Sequence, residues 1–212
     1  MIPRRGKIRR SIHILGSAFG SIGHLARGLW RGGSEKRMVL PLALFLCVLG
    51  FLLILAAPHD AAMRDRLNRD IKYREEFRPF APVVPAEHAS LFFELPRGGA
   101  RLARFMSGVV PVRPEWRERL AAVTHVDGTA RVQVLDREME PRLHALLEAY
   151  GKRSGIPVLL NTSFNLAGEP IVNTVAEAYS TFRRCGIDLL VAGTVCVAKP
   201  RILHAQILEN VA

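Results

Sequence analysis

Three clusters of polar side chains stand where folding alone does not require them: IKYREEFRPF over 71–80, THVDGTARVQ over 124–133 and LLNTSFN over 159–165. In the first, Lys72, Arg74 and Arg78 gather cationic donors among aromatic residues, which suits an anionic phosphate or a nucleotide because ammonium and guanidinium groups make charge-assisted hydrogen bonds to phosphate oxygens. In the second, Arg131 follows an Asp-Gly turn. In the third, an apolar run ends in Asn161 and Ser163, placing amide and hydroxyl groups where open α/β sheets bind ligands. Taken singly, each cluster also fits a plainer role: a solvated basic helix face, a capped loop, a hydrogen-bonded turn histidine. Together they describe a basic pocket with no acidic general base, a combination for binding and polarising a phosphorylated substrate. His125, Asp127 and Ser163 have the residue types of a Ser/His/Asp triad, but no Gly-x-Ser-x-Gly elbow accompanies them.

The elements that must position these groups follow from local signals. Asp60 is placed to cap a helix in which Met63, Leu67 and Ile71 recur every four residues, an amphipathic stripe that ends before Arg78-Pro79. Ala81 to Ala86 reads as strand or loop. Residues 94–116 read as a mobile surface loop, with a short strand possible over Phe105 to Val112. Ala121 to Leu135 predicts strand, tight Asp-Gly turn and strand. Pro141 opens a helix with Leu143, Leu146, Leu147 and Tyr150 on one face, and Ile156 to Leu160 forms the strand that delivers Asn161 and Ser163. Thr174-x-x-Glu177 is a capping box for a helix through Cys185, and Leu189 to Val197 supplies closing strand material. Interleaved helices and strands predict an open α/β sheet. Cys47, Cys185 and Cys196 lack metal-type spacing and read as small buried hydrophobes.

Charge and hydropathy divide the chain. Residues 1–37 carry nine Lys/Arg against one acid, whereas 38–57 is a run of twenty residues without a charge. At about 1.5 Å per residue the run is long enough as a helix to cross a bilayer. The sequence therefore predicts a basic cytoplasmic or interfacial leader over 1–37, a transmembrane helix over 38–57, an α/β domain over 58–200 and a tail over 201–212. The chain would then be single-pass in a bacterial inner membrane. The basic leader puts the N-terminus inside, but Arg64, Arg66, Arg69 and Lys72 behind the run leave the side of the soluble domain open. The lipid bilayer is the expected partner of the leader and the span; a basic tail without a recognisable binding fold gives no reason to expect nucleic acid.

The motifs, in order, resemble the C-terminal, YrdC-like domain of the bacterial O-carbamoyltransferases that act on nodulation factors and antibiotics. The resemblance runs over about 60–199 and is carried by MRDRLNRDIKYREEFRPFAPVV over 63–84, AVTHVDGTARVQVL over 122–135 and the segment from Gly155 to Gly193. It implies an open, twisted, mixed sheet with flanking helices. It further implies that the domain takes carbamoyl phosphate and ATP, the latter as co-substrate, and makes carbamoyl adenylate. Lys72, Arg78 and Arg131 match the family's catalytic and phosphate-binding positions, and Asn161 and Ser163 its remaining substrate contacts. In the family, a larger actin-like domain with a histidine-bound metal passes the carbamoyl group to an acceptor hydroxyl. That domain and the Gly-Pro-Arg-Ala-Leu-Gly stretch before the first motif are missing here, so no metal ligands are expected in this chain. The expected partner is a companion carbamoyltransferase or an actin-like-domain protein. The alternative is a non-catalytic membrane adaptor for a full-length carbamoyltransferase.

Overall fold

The computed structural model describes residues 44–48, 51–96 and 99–200. Its frame is a seven-stranded mixed sheet in the order β6-β3-β7-β2-β1-β8-β9. The strands are β1 (Leu44–Val48), β2 (Phe51–Ala56), β3 (Ala81–Pro85), β6 (Gln133–Leu135), β7 (Leu159–Ser163), β8 (Leu189–Ala192) and β9 (Val195–Ala198); β4 (Val110–Pro111) and β5 (Thr129–Ala130) pair separately. Pairing is parallel for β3 with β6 and for β1 with β8, and antiparallel elsewhere in the sheet.

The described part of the apolar run expected to cross a membrane, 44–48 and 51–56, is a strand pair instead. β1 and β2 are antiparallel, with Val48 opposite Phe51, and β2 pairs on its other edge with β7, Leu55 opposite Asn161. Among the described residues, no helix is long and apolar enough to cross a membrane. The physical reason is that an interior strand covered on both faces needs apolar residues at every position, so it loses the two-residue alternation and reads like a spanning helix. Ile54, Leu55 and Ala56 are all within 1% of full burial. The basic leader over 1–37, residues 38–43 and 49–50 of the run and the tail over 201–212 lie outside the described residues.

Two layers cover the sheet. On one face, Ile54, Val84, Val134, Leu160 and Leu190 pack with Met63, Leu67 and Ile71 and with Ala178 and Phe182. On the other, Leu55, Val83, Leu135 and Leu159 pack with Leu143 and Leu147. The helices that supply these groups are α1 (Ala61–Leu67), α4 (Pro141–Ser154) and α5 (Val175–Arg184), except that Ile71 comes from the π-turn that follows α1; α2 (Ala89–Phe92) and α3 (Gly99–Ala103) are short. Burying apolar side chains at about 25 cal/mol per Å² is what draws each helix onto its face. Asp60 caps α1 as expected, its side chain accepting from the Ala62 N–H at 2.8 Å. Past Leu67 the chain widens into a π-helical turn over Asn68–Lys72 and stops at Tyr73, whose φ of 47° is left-handed. The helix thus ends well before Arg78-Pro79.

Two other expectations are revised. Residues 94–116 contain α3, β4 and a 3-10 turn at Pro114–Trp116 rather than a simple surface loop, and the strand within Phe105 to Val112 is confined to Val110–Pro111. The predicted hairpin over Ala121 to Leu135 is not formed. Its first arm is a turn: the Leu120 N–H bonds the Trp116 carbonyl, and Val123 and Thr124 both donate to the Leu120 carbonyl, burying Leu120, Ala122 and Val123. Its second arm splits, β5 joining β4 and β6 joining β3. The Asp-Gly turn itself is present, closed by the Gly128 N–H on the His125 carbonyl at 2.9 Å with Gly128 at φ 79°.

The capping box of α5 is complete: Thr174 Oγ1 accepts from the Glu177 N–H at 3.1 Å while Glu177 Oε2 reaches the Thr174 N–H at 3.3 Å and the Asn173 N–H at 2.7 Å. Thr174→Ala is expected to lower the stability of the domain by about 1 kcal/mol, a shift that chemical denaturation will resolve. Cys185 is buried in the main core and Cys196 is half-buried against the second cluster, as small hydrophobes. The Cys47 side chain lies outside the described residues.

Candidate functional site

Where β7 ends between β2 and β3, a cavity of about 510 Å³ opens, lined by residues that include Arg74, Arg78, Phe80, Arg131 and the run Asn161–Ser163. Two separate segments bring the three cations there. Arg74 and Arg78 come from the chain between the π-turn and β3, and Arg131 from the short link between β5 and β6. Among the described residues none of the three guanidiniums forms an ion pair with a carboxylate. Burial first, then the charge of Arg78 and to a smaller extent that of Arg131, pulls Arg74 below its ordinary arginine value; only Glu75 opposes them. Like charges held this close repel one another, and an anion entering between them relieves that cost.

Local structure holds each group. Asn68, fully buried in the π-turn, donates through Nδ2 to the carbonyls of Glu76 (2.9 Å) and Arg78 (2.8 Å) and accepts through Oδ1 from Arg74 Nε (2.7 Å). One amide thus folds the 74–78 segment back over the cavity. Arg74 also stacks on Phe80, 4.5 Å from the ring centroid. Arg131 is set by the rigid Asp-Gly turn, in which Asp127 accepts from the Thr129 N–H and hydroxyl at 3.0 and 2.7 Å. Burial lowers the His125 pKa, the Asp127 charge opposes this, and the Arg131 charge adds to it.

The floor is Asn161, paired in register with Ala81 on one side and Leu55 on the other. Its Nδ2 donates to Gln133 Oε1, while its buried Oδ1 has no hydrogen-bond partner. A buried acceptor without a donor costs roughly 1–3 kcal/mol, so this oxygen favours a ligand that brings an N–H to it.

Of the five residues expected at the site, Arg78, Arg131, Asn161 and Ser163 line the cavity and Lys72 does not. Only 7% exposed, Lys72 turns its Nζ to the Ser163 carbonyl (2.7 Å) and Asn165 Oδ1 (2.7 Å), with the Asn165 carbonyl and Ser163 Oγ farther away. It ties the end of β7 to the loop behind it. Burial, aided by the Arg74 charge, pushes the Lys72 pKa down to about 8 from 10.5. A nitrogen-15 NMR titration is expected to give a midpoint near that value. Between pH 8 and 10.5 the folded chain binds fewer protons at Lys72 than the unfolded chain, so this residue's contribution to stability is complete above pH 10.5 and is lost as pH falls through about 8. Ser163 Oγ donates to Asn165 Oδ1 at 2.8 Å, whereas His125 Nδ1 lies 3.0 Å from Thr129 Oγ1, so the two do not form a nucleophile–base pair.

Sequence reasoning left Asn68, Phe80 and Thr162 out of the site, and counted Arg74 among the cations without giving it a site role. For Arg74 a signal existed in the aromatic Phe80 six residues on. For Asn68 there was none, because a polar residue in a helical stripe looks like the solvent face. The polar part of the lining is three arginines, the Asn161 amide and the Thr162 and Ser163 hydroxyls, and the described lining holds no carboxylate, imidazole or thiol. This donor set suits oxyanions rather than a metal ion.

Three guanidiniums thus converge at the end of a central strand of an α/β domain. The Carbamoyltransferase C-terminus family profile matches residues 48–199, and the chain belongs to that family. The match begins inside the apolar run, in agreement with the placement of β2 within the sheet. The chain is 49% identical over 146 residues to nodulation protein NolNO of Sinorhizobium fredii, covering 69% of this chain and 21% of that protein. It is 48% identical over 146 residues to nodulation protein NolO of Bradyrhizobium diazoefficiens, with 69% and 26% covered. It is 38% identical over 140 residues to the 3'-hydroxymethylcephem-O-carbamoyltransferase of Amycolatopsis lactamdurans, with 66% and 26% covered. The chain thus spans about a fifth to a quarter of the length of these relatives.

Proposed function

We propose that this domain, with a YrdC-like arrangement, binds carbamoyl phosphate and ATP and forms carbamoyl adenylate, which a partner carrying an actin-like domain then uses to carbamoylate an acceptor hydroxyl. The observation that carries the reading is that three guanidiniums without ion-pair partners and one carboxamide oxygen without a hydrogen-bond partner, among the described residues, share a single cavity. Phosphate oxygens suit the arginines, and the carbamoyl NH₂ suits Asn161 Oδ1. The atoms balance with one water: carbamoyl phosphate gives carbamate and inorganic phosphate, and a carbamate oxygen then attacks the α-phosphorus of ATP and expels pyrophosphate. Arg74, Arg78 and Arg131 neutralise charge as each phosphate leaves, while Asn161, Thr162 and Ser163 orient the carbamoyl group. Both substrates are cytosolic metabolites, which places a working domain on the cytoplasmic side.

The test is pyrophosphate release by the full chain given ATP, with and without carbamoyl phosphate. Release that depends on carbamoyl phosphate is the expected result. Its absence, both alone and beside a companion carbamoyltransferase, would overturn the reading.

A further inference from the structure

Away from the cavity, one group of metal-ligating side chains converges among the described residues. Glu87 lies in the 3-10 turn Ala86–His88 that follows β3, and His144 and Glu148 lie one helical turn apart on α4, so both project from one face. One ligand atom from each of the three comes within 4.8 Å of the other two. His144 Nε2 stands 2.8 Å from Glu87 Oε1, and His88 Nε2 stands 3.0 Å from Glu148 Oε1.

We infer that Glu87, His144 and Glu148 form a binding site for a divalent transition-metal ion such as zinc, with His88 positioning Glu148 from outside the ligand set. One imidazole and two carboxylates are the donors that zinc, cobalt and manganese accept, and three protein ligands leave a fourth position for water. The partner of a ligating carboxylate normally holds it by a hydrogen bond, as His88 does here. His144 is buried, Glu148 half-buried and Glu87 exposed, so an ion would reach the site from solvent and be anchored from within. In the metal-free chain the hydrogen bond between His144 Nε2 and Glu87 Oε1 spans this position, and an ion would replace it.

The site clamps α4 to the end of β3 farther from the cavity: Ala81 lines the cavity, whereas Pro85 leads into the turn with Glu87. Its role is therefore to hold helix to sheet, independent of the substrate chemistry proposed above. The full chain, stripped with chelator, is titrated with Co²⁺ followed by visible absorption, and Zn²⁺ is used to displace it. One saturable equivalent is expected, with the absorption of low-coordinate cobalt and a melting temperature that rises on binding. Glu87→Gln and Glu148→Gln, neither of which empties the core, are each expected to weaken binding about tenfold or more, while Arg131→Ala leaves it unchanged. Failure to bind either ion saturably, or binding that survives both glutamine substitutions, overturns the inference.

Discussion

Arg131→Ala will lower the proposed carbamoyl phosphate-dependent pyrophosphate release by about 100- to 1,000-fold, the loss expected when one preorganised charge is removed from where negative charge develops. Arg131 makes no ion pair among the described residues, and its side chain is exposed on a link between two short strands. Its removal therefore costs the fold little, within about 0.5 kcal/mol. Arg131→Lys keeps the charge but loses the planar fork that grips two phosphate oxygens, so it will fall between wild type and alanine. Steady-state kinetics at saturating and limiting carbamoyl phosphate separate two roles for the residue. If Arg131 stabilises the leaving phosphate, kcat falls; if it only collects substrate, KM rises alone. Unchanged release by Arg131→Ala would remove this arginine from the site.

The second large effect is on the wall of the cavity. Asn68→Ala leaves the carbonyls of Glu76 and Arg78 without their shared donor and Arg74 Nε without its acceptor, all at a residue with no exposed surface. Losing a buried group with three hydrogen bonds is expected to cost about 3 kcal/mol, or roughly 10 °C in melting temperature for a domain of this size. Activity will fall as well, since the 74–78 segment is no longer held over the floor. Asn68→Asp discriminates further: it retains an acceptor for Arg74 but aims a carboxylate at two carbonyl oxygens, so it will be at least as damaging as alanine. Thermal unfolding monitored by circular dichroism measures both. A melting temperature unmoved by either substitution would show that the 74–78 segment is held by something other than Asn68.

Several elements were legible because their signals are local. The Asp60 cap, the stripe of Met63, Leu67 and Ile71, the Pro141 helix start and the Thr174/Glu177 capping box each depend on neighbours within four residues, and each is in place. The Asp-Gly turn formed as expected for the same reason, although its flanks did not pair with each other. Which strand a segment joins depends on the whole sheet, and neither Gln133 nor Ala130 carries a mark of its partner. The apolar run over 38–57 failed for a related reason. Leu53 to Ala56 is hydrophobic at every position because β1 and β7 flank it and helices cover it, and hydropathy does not distinguish protein neighbours from lipid.

By itself, the sequence determined the class of the domain, its family resemblance and the cationic and amide groups that could meet a phosphate, because residue types and short spacings carry that chemistry. Only the tertiary structure decided which of those groups face one another. It placed Arg74 in the cavity with Arg78 and Arg131, and turned Lys72 away to bind the β7 loop. It also gave Asn68 charge of the cavity wall and brought Glu87 against His144 across 57 residues of chain. Such contacts depend on how buried strands and helices pack at long range, where a residue's neighbours are set by the sheet order rather than by its position in the chain.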